Sequence, residues 1–165
     1  MQGTSVRIKK TGKNPTDRFK QGVKRSILTD SRGIPIGIVI APANWHDSTI
    51  LVQTIRSIPI RRPKPTQRKP QHICLDKAYD ADWIQVVLSV LGFIPHIARR
   101  EFSSRKLKDH YGRRRKPKRW VVERSHSWLN RYRGILIRWE KKPEDYLALV
   151  HLVAGVMCFR RIGIR

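Results

Sequence analysis

Residues 23–42, VKRSILTDSRGIPIGIVIAP, set the fold, because two strand-length apolar runs lie back to back around a short polar break. Ile27 and Leu28 fall in the first arm, Asp30-Ser31-Arg32-Gly33 favours a tight reversal, and Ile34 to Ile40 forms a second arm apolar on both faces. Pro35 stands near the start of that arm, where a missing N–H is tolerated. The reading is a β-hairpin.

Upstream, Val6 and Ile8 alternate with Arg7 and Lys9 as in a half-buried strand, and 11–22 is broken by Gly12, Asn14-Pro15 and Gly22 into a loop. That loop and its exit carry Lys13, Arg18, Lys20 and Lys24, so Arg18 and Lys24 are candidate phosphate contacts, with a merely solvated loop equally open. Downstream, Asp47 or Ser48 is the expected N-cap of a helix with Ile50, Leu51, Thr54, Ile55 and Ile58 on one face. Residues 59–71 hold four prolines and five cations with no apolar periodicity, which predicts an extended basic connector. A strand from His72 to Leu75 follows, then a helix from about Ala81 to Leu91, closed by Gly92, then a short strand over 93–98. Residues 99–119 include eleven Lys or Arg in 21 positions. They predict either a loop or a nucleic-acid surface, with Arg113, Arg114 and Arg115 at its densest point. Pro117 opens a helix from about Lys118 to Arg133, and a final helix runs from Glu144 to about Arg160. Antiparallel strands followed by alternating helices and strands predict an α/β fold: one domain over 1–165, with a mixed sheet and helices on its faces.

The chain has 165 residues, enough to bury a core, and its 39% hydrophobic content is that of a globular protein. Its 36 Lys and Arg against 12 Asp and Glu give a formal charge of +24. Self-repulsion on that scale calls for a polyanion, and nucleic acid is the most economical one. An anionic membrane is the rival, but no apolar run is long enough to span a bilayer and no lipidation motif is present. No signal peptide opens the sequence, so a cytoplasmic, nucleoid-associated protein is expected. Cys74 and Cys158 lie in apolar segments without zinc spacing and read as buried thiols.

Against this charge, two carboxylates stand out. Asp76 ends the apolar run Ile73-Cys74-Leu75, and ligands of open α/β sheets bind outside the carboxyl ends of strands. Glu123 is the sole acid between Asp109 and Glu140, and helical spacing puts Arg119, Glu123, His126 and Asn130 on one face. Val121, Val122, Trp128, Leu129 and Tyr132 supply the packing stripe. Taken alone, Asp76 reads first as an N-cap or a salt bridge to Lys77, and Glu123 equally as an ion pair with Arg119 or Arg124 or as a metal ligand. Together they suit phosphodiester chemistry, which uses hard cations on oxygen ligands.

The segments GKNPTDRFKQGVKRSILTDSRGIPIGIVIAPANWHD, LDKAYDAD, IPHIARR and WVVERSHSWLNRYRGILIRWEKKPEDY resemble the catalytic domain of DDE transposases of the bacterial insertion sequence 5 group. The resemblance implies a ribonuclease-H-like fold and an Asp-Asp-Glu triad. It also implies two Mg²⁺ (or Mn²⁺) ions, and cleavage and transfer of DNA strands at insertion-sequence ends. It places the second Asp on Asp76 and the Glu on Glu123, both as catalytic metal ligands. Arg119, His126 and Asn130 then position phosphates. Lys116 stands at the family's Tyr position and Asn130 at its Lys position. Gln2 stands where the first Asp belongs. The resemblance further implies DNA partners at transposon ends and target, self-association, and an upstream DNA-binding region. The chain is then either the downstream product of a two-frame element or a decayed copy that only binds DNA.

Overall fold

In the computed structural model, the described residues are 11–14, 18–97 and 120–162. The strand expected at 1–9 and the basic segment 99–119 lie outside them.

The hairpin forms as the sequence predicts. Strand β1 (Gly12–Lys13) pairs antiparallel with β2 (Gln21–Thr29), which pairs antiparallel with β3 (Pro35–Pro42) in a register running from Val23↔Pro42 to Leu28↔Gly37. The reversal is held by Asp30. Its Oδ1 accepts the N–H groups of Arg32 (2.9 Å) and Ile34 (2.8 Å), while Gly33 donates to the Asp30 carbonyl at 3.1 Å. Gly33 takes φ +83°, a left-handed conformation that disfavours side chains.

Alternation along β2 then sorts two layers. Val23 and Ile27 join a core of Ile38, Ile40, Leu129, Ile135, Tyr146, Val150, Val153 and Ala154. These come from β3, from α3 (Trp120–Asn130), from the short α4 (Arg133–Leu136) and from α5 (Pro143–Ile162). Ser26 and Leu28 face the other way. Ser26 accepts from Thr54 Oγ1 of α1 (Asp47–Arg56) at 2.8 Å, and Leu28 packs on a second core of Leu51, Ile55, Ile73, Ile84 and Leu88. Helix α1 crosses β3 where Gly37 lacks a side chain; a Cβ there would lie 2.7 Å from the Thr54 carbonyl oxygen.

The second core is completed by strands β4 (Gln71–Leu75) and β5 (Phe93–Ile97), parallel and joined through α2 (Asp82–Val90). The connector before β4 has no regular structure but is anchored. The Arg62 guanidinium lies 4.0 Å over the Phe93 ring and donates to the Leu91 carbonyl. Among the described residues, the strands form a three-stranded antiparallel sheet and a two-stranded parallel one, with helices packed against both.

Three local expectations are corrected. His46, not Asp47 or Ser48, caps α1: its backbone is extended, and its Nδ1 accepts the Ser48 N–H at 3.3 Å and lies 2.7 Å from Ser48 Oγ. The helix expected to run to about Arg133 ends at Asn130, and Arg133 instead opens the separate turn α4, too short to carry a periodic signal of its own. Cys74 is exposed, because β4 turns only its Ile73 and Leu75 side toward the core.

Asp30→Ala removes the acceptor shared by two turn N–H groups and is expected to cost about 1–3 kcal/mol. Asp30→Asn, which keeps a carbonyl oxygen there, should recover most of the loss. Urea midpoints of the three proteins at constant m-value measure both.

Candidate active site

Asp76 sits where a rigid strand ends. Ile73 and Leu75 are held in the second core, and the next residue emerges exposed at the rim. There Asp76 caps a single 3-10 turn, Lys77–Tyr79, with Oδ1 accepting the Lys77 N–H at 2.7 Å. Tyr79, three residues on, packs against the second core. Burial, then the carboxylates of Asp47 and Asp76, push its phenol pKa far above the ordinary range, so it is neutral at any physiological pH. The start of α1 and the end of β4 thus bring two acids to bear on one phenol. Asp47 is already ion-paired, at 3.0 Å from Lys24 Nζ, which also donates to the Trp45 carbonyl at 2.9 Å.

Glu123 is placed by what the rest of α3 buries. Val121, Ser125 and Leu129 recur at four-residue spacing and face inward, leaving Glu123 exposed. Ser125 Oγ, fully buried, lies 2.7 Å from the Gly33 carbonyl oxygen and 3.0 Å from that of Val121, its one proton shared between them. At the far end of the helix, Arg25 Nη2 donates to Asn130 Oδ1 at 2.6 Å, and its Nη1 reaches the Ile135 carbonyl at 3.5 Å. Arg124 donates to the Arg32 carbonyl at 2.7 Å, and its guanidinium lies 4.6 Å from the Trp120 ring and 4.7 Å from that of Trp128.

The sequence-predicted site residues therefore fall into three groups. Asp76, Glu123 and Arg18 are exposed, Arg18 with a left-handed backbone (φ 47°). Lys24, His126 and Asn130 are partly buried; Lys24 is paired with Asp47 and Asn130 accepts from Arg25, while His126 lies in the field of the Arg25 charge. Arg119 and Arg113, Arg114 and Arg115 lie outside the described residues. Arg25 and Ser125 are structural members of the site that sequence reasoning did not single out. The signal for Arg25 was its parity, a cation between Val23 and Ile27 on the strand's core-facing side.

Burial, reinforced by the Arg25 charge, holds the His126 imidazole below its ordinary pKa. It is neutral near pH 7, and so a hydrogen-bonding group rather than a cation at that pH. Asp76 and Glu123 are hard oxygen donors at exposed positions, so a divalent cation meets little desolvation cost in reaching either. Among the described residues, no three His, Cys, Asp or Glu side chains are gathered into a metal-holding group.

A strand-end carboxylate and a glutamate on a helix packed against a hairpin are set in an α/β protein with a large excess of cations. The chain belongs to the transposase DDE domain family, whose model matches residues 2–156. Over 156 residues it is 36% identical to a protein of Burkholderia cepacia assigned as the transposase for insertion sequence element IS402. That match spans 93% of this chain and 70% of the relative. No solved structure matches it. Transposases of this family act on DNA with divalent metal ions. No described helix is long and apolar enough to cross a membrane.

Because His126 takes up its proton less readily folded than unfolded, acidification through about pH 6.5 favours the unfolded chain. Stability should fall from that pH downward until the folded-state pKa is passed, and His126→Phe should flatten this dependence. In an NMR titration the His126 ring should protonate below its ordinary pH, and Arg25→Met should move the midpoint upward.

Proposed function

We propose that this chain is the catalytic domain of a DDE transposase of the insertion sequence 5 group. It is a single unit over 1–165 built for cleaving DNA at the ends of its element and transferring the strands, and incomplete as written because Gln2 stands at the first Asp position. The observation that carries the reading is Asp76, an exposed carboxylate on a strand end within a chain matched to the family over nearly its full length. A ribonuclease-H-like sheet is supported by the order of elements, an antiparallel hairpin followed by a parallel pair, and by the cores on both sides of β2. Asp76 and Glu123 are the metal ligands of this reading. Bound Mg²⁺ or Mn²⁺ would lower the pKa of the attacking hydroxyl and stabilise the leaving oxygen. The protein's own share is to hold the ligands. The Lys77 N–H orients Asp76, and the contacts of Ser125 and Asn130 with the hairpin fix the rotation of the Glu123 helix. Arg18, Arg119 and the 113–115 cluster track the phosphates. Lys24 and Asn130 act one step back, through Asp47 and Arg25, and His126 offers a neutral imidazole on the Glu123 helix.

Gln2 favours a second reading. It occupies the position of the first family acid, carries no charge, and is a poor magnesium ligand. An otherwise intact fold would then be a basic DNA-binding protein without strand chemistry. Self-association, and joining to an upstream-frame product, belong to the first reading.

The two are separated by nicking of plasmid DNA bearing the element's ends. In the first reading Gln2→Asp gains Mg²⁺- or Mn²⁺-dependent nicking, and adding Asp76→Asn or Glu123→Gln returns it to background while DNA binding persists. Cleavage undiminished by Asp76→Asn overturns the assignment, and no gain from Gln2→Asp leaves the binding protein. In either reading, log affinity for DNA should fall linearly with log salt, with a slope of about −0.9 for each phosphate neutralised.

A further inference from the structure

Between the end of α3 and the end of α5 lies a cleft of about 450 Å³, lined by Trp128, Arg131, Tyr132, Met157, Arg160 and Arg161. It is built of different chemistry from the carboxylate site. Two aromatic rings and a thioether supply flat apolar surface, three guanidinium groups supply charge, and among the described residues no acid lines it. A lone phosphate needs no aromatic floor, and an apolar ligand needs no three cations. A nucleotide uses both, its base on the ring and its phosphate on the guanidiniums.

Two cations already lie over the Trp128 ring, Arg124 at 4.7 Å and Arg161 at 5.2 Å from its centroid. Their situations differ. Arg124 is pinned by its bond to the Arg32 carbonyl and by its contact with Trp120. Arg161 is exposed in the last turn of α5, beside the exposed Arg160. A base arriving on the indole replaces one flat π-contact by another and releases the Arg161 charge toward the phosphate it brings. In a duplex both faces of every base are covered by stacking, so only an unpaired nucleotide presents a face to the ring.

We propose that the Trp128–Tyr132 cleft binds one unpaired nucleotide of a DNA strand, with the base stacked on Trp128 and a flanking phosphate held by Arg160 and Arg161. The inference rests on the reading of this chain as a DNA-acting transposase, but not on Asp76 or Glu123 being ligands.

The test uses the full chain in EDTA, so that no cleavage intervenes. The probes are a duplex with a five-nucleotide gap carrying one 2-aminopurine, and the same duplex without the gap. Expected results are quenching of 2-aminopurine in the gapped probe, and about tenfold weaker binding of that probe by Trp128→Leu. Duplex affinity should change less than twofold, and Trp128→Phe should restore most of the gapped binding. Arg161→Gln, which leaves the ring in place, should reduce the salt slope on gapped DNA only. Should Trp128→Leu lose its thermal unfolding transition, Trp128→Phe and Arg161→Gln carry the comparison by themselves. Normal duplex binding without quenching, or equal weakening on both probes, overturns the cleft alone. Absence of all DNA binding overturns this inference and the proposed function together.

Discussion

The helix that carries Glu123 is tied to the β-hairpin near its tip and again further down β2, and the direction Glu123 faces depends on those contacts. Ser125 and Arg124 donate to the carbonyls of Gly33 and Arg32 near the tip, and Asn130 accepts from the Arg25 guanidinium further down β2. A single hydrogen bond of this kind contributes only about 1 kcal/mol net, and one point of attachment lets a helix roll. Two points on different turns fix rotation and axial position together. The first is also steric: a Cβ at Gly33 would lie 3.0 Å from Ser125 Oγ and 3.1 Å from the Arg124 guanidinium. With Val121 and Leu129 buried on the same side, Glu123 has one direction left to face.

Much of this was legible, and the remainder has physical reasons for being hidden. Alternation and Asp-Ser-Arg-Gly revealed the hairpin because a turn is local chemistry, and its residues carry the information by themselves. Helices α2 and α5 were legible from their apolar runs and from the punctuation of Gly92 and Pro143. The cap of α1 was missed because His46 does what Asp and Ser more often do. The face of α3 was half legible. Glu123 is exposed as an acid on a polar face should be, but Asn130 is turned to Arg25, and Ser125 sits in the core as a polar residue satisfied by a hairpin 92 positions away. No periodicity announces a partner at that distance. The single mixed sheet expected from the order of elements is, among the described residues, two separate sheets.

The positive charge divides in the same way. Read from composition, every cation was available to a polyanion. In the structure Lys24 neutralises Asp47, Arg25 holds α3 and α4, Arg62 covers Phe93, Arg124 lies against two indoles, and Arg138 donates to the carbonyls of Glu140 and Lys141 while facing the Tyr146 ring. These side chains work through planar stacking and forked hydrogen bonds, which explains why most are arginine and not lysine. A protein short of acids has few carboxylates with which to pair its cations. It uses carbonyl oxygens and aromatic faces instead.

That scarcity gives the Asp-Lys-Ala-Tyr segment its meaning. A 3-10 turn brings side chains three residues apart into line, and the Tyr79 N–H closes the turn on the Asp76 carbonyl at 3.0 Å. The ring of Tyr79 packs against the second core while its phenol lies in the field of Asp76 and Asp47. The backbone at Asp76 is thereby held from both directions, by β4 before it and by a core-anchored tyrosine one turn on, while the Lys77 N–H orients the exposed carboxylate between them.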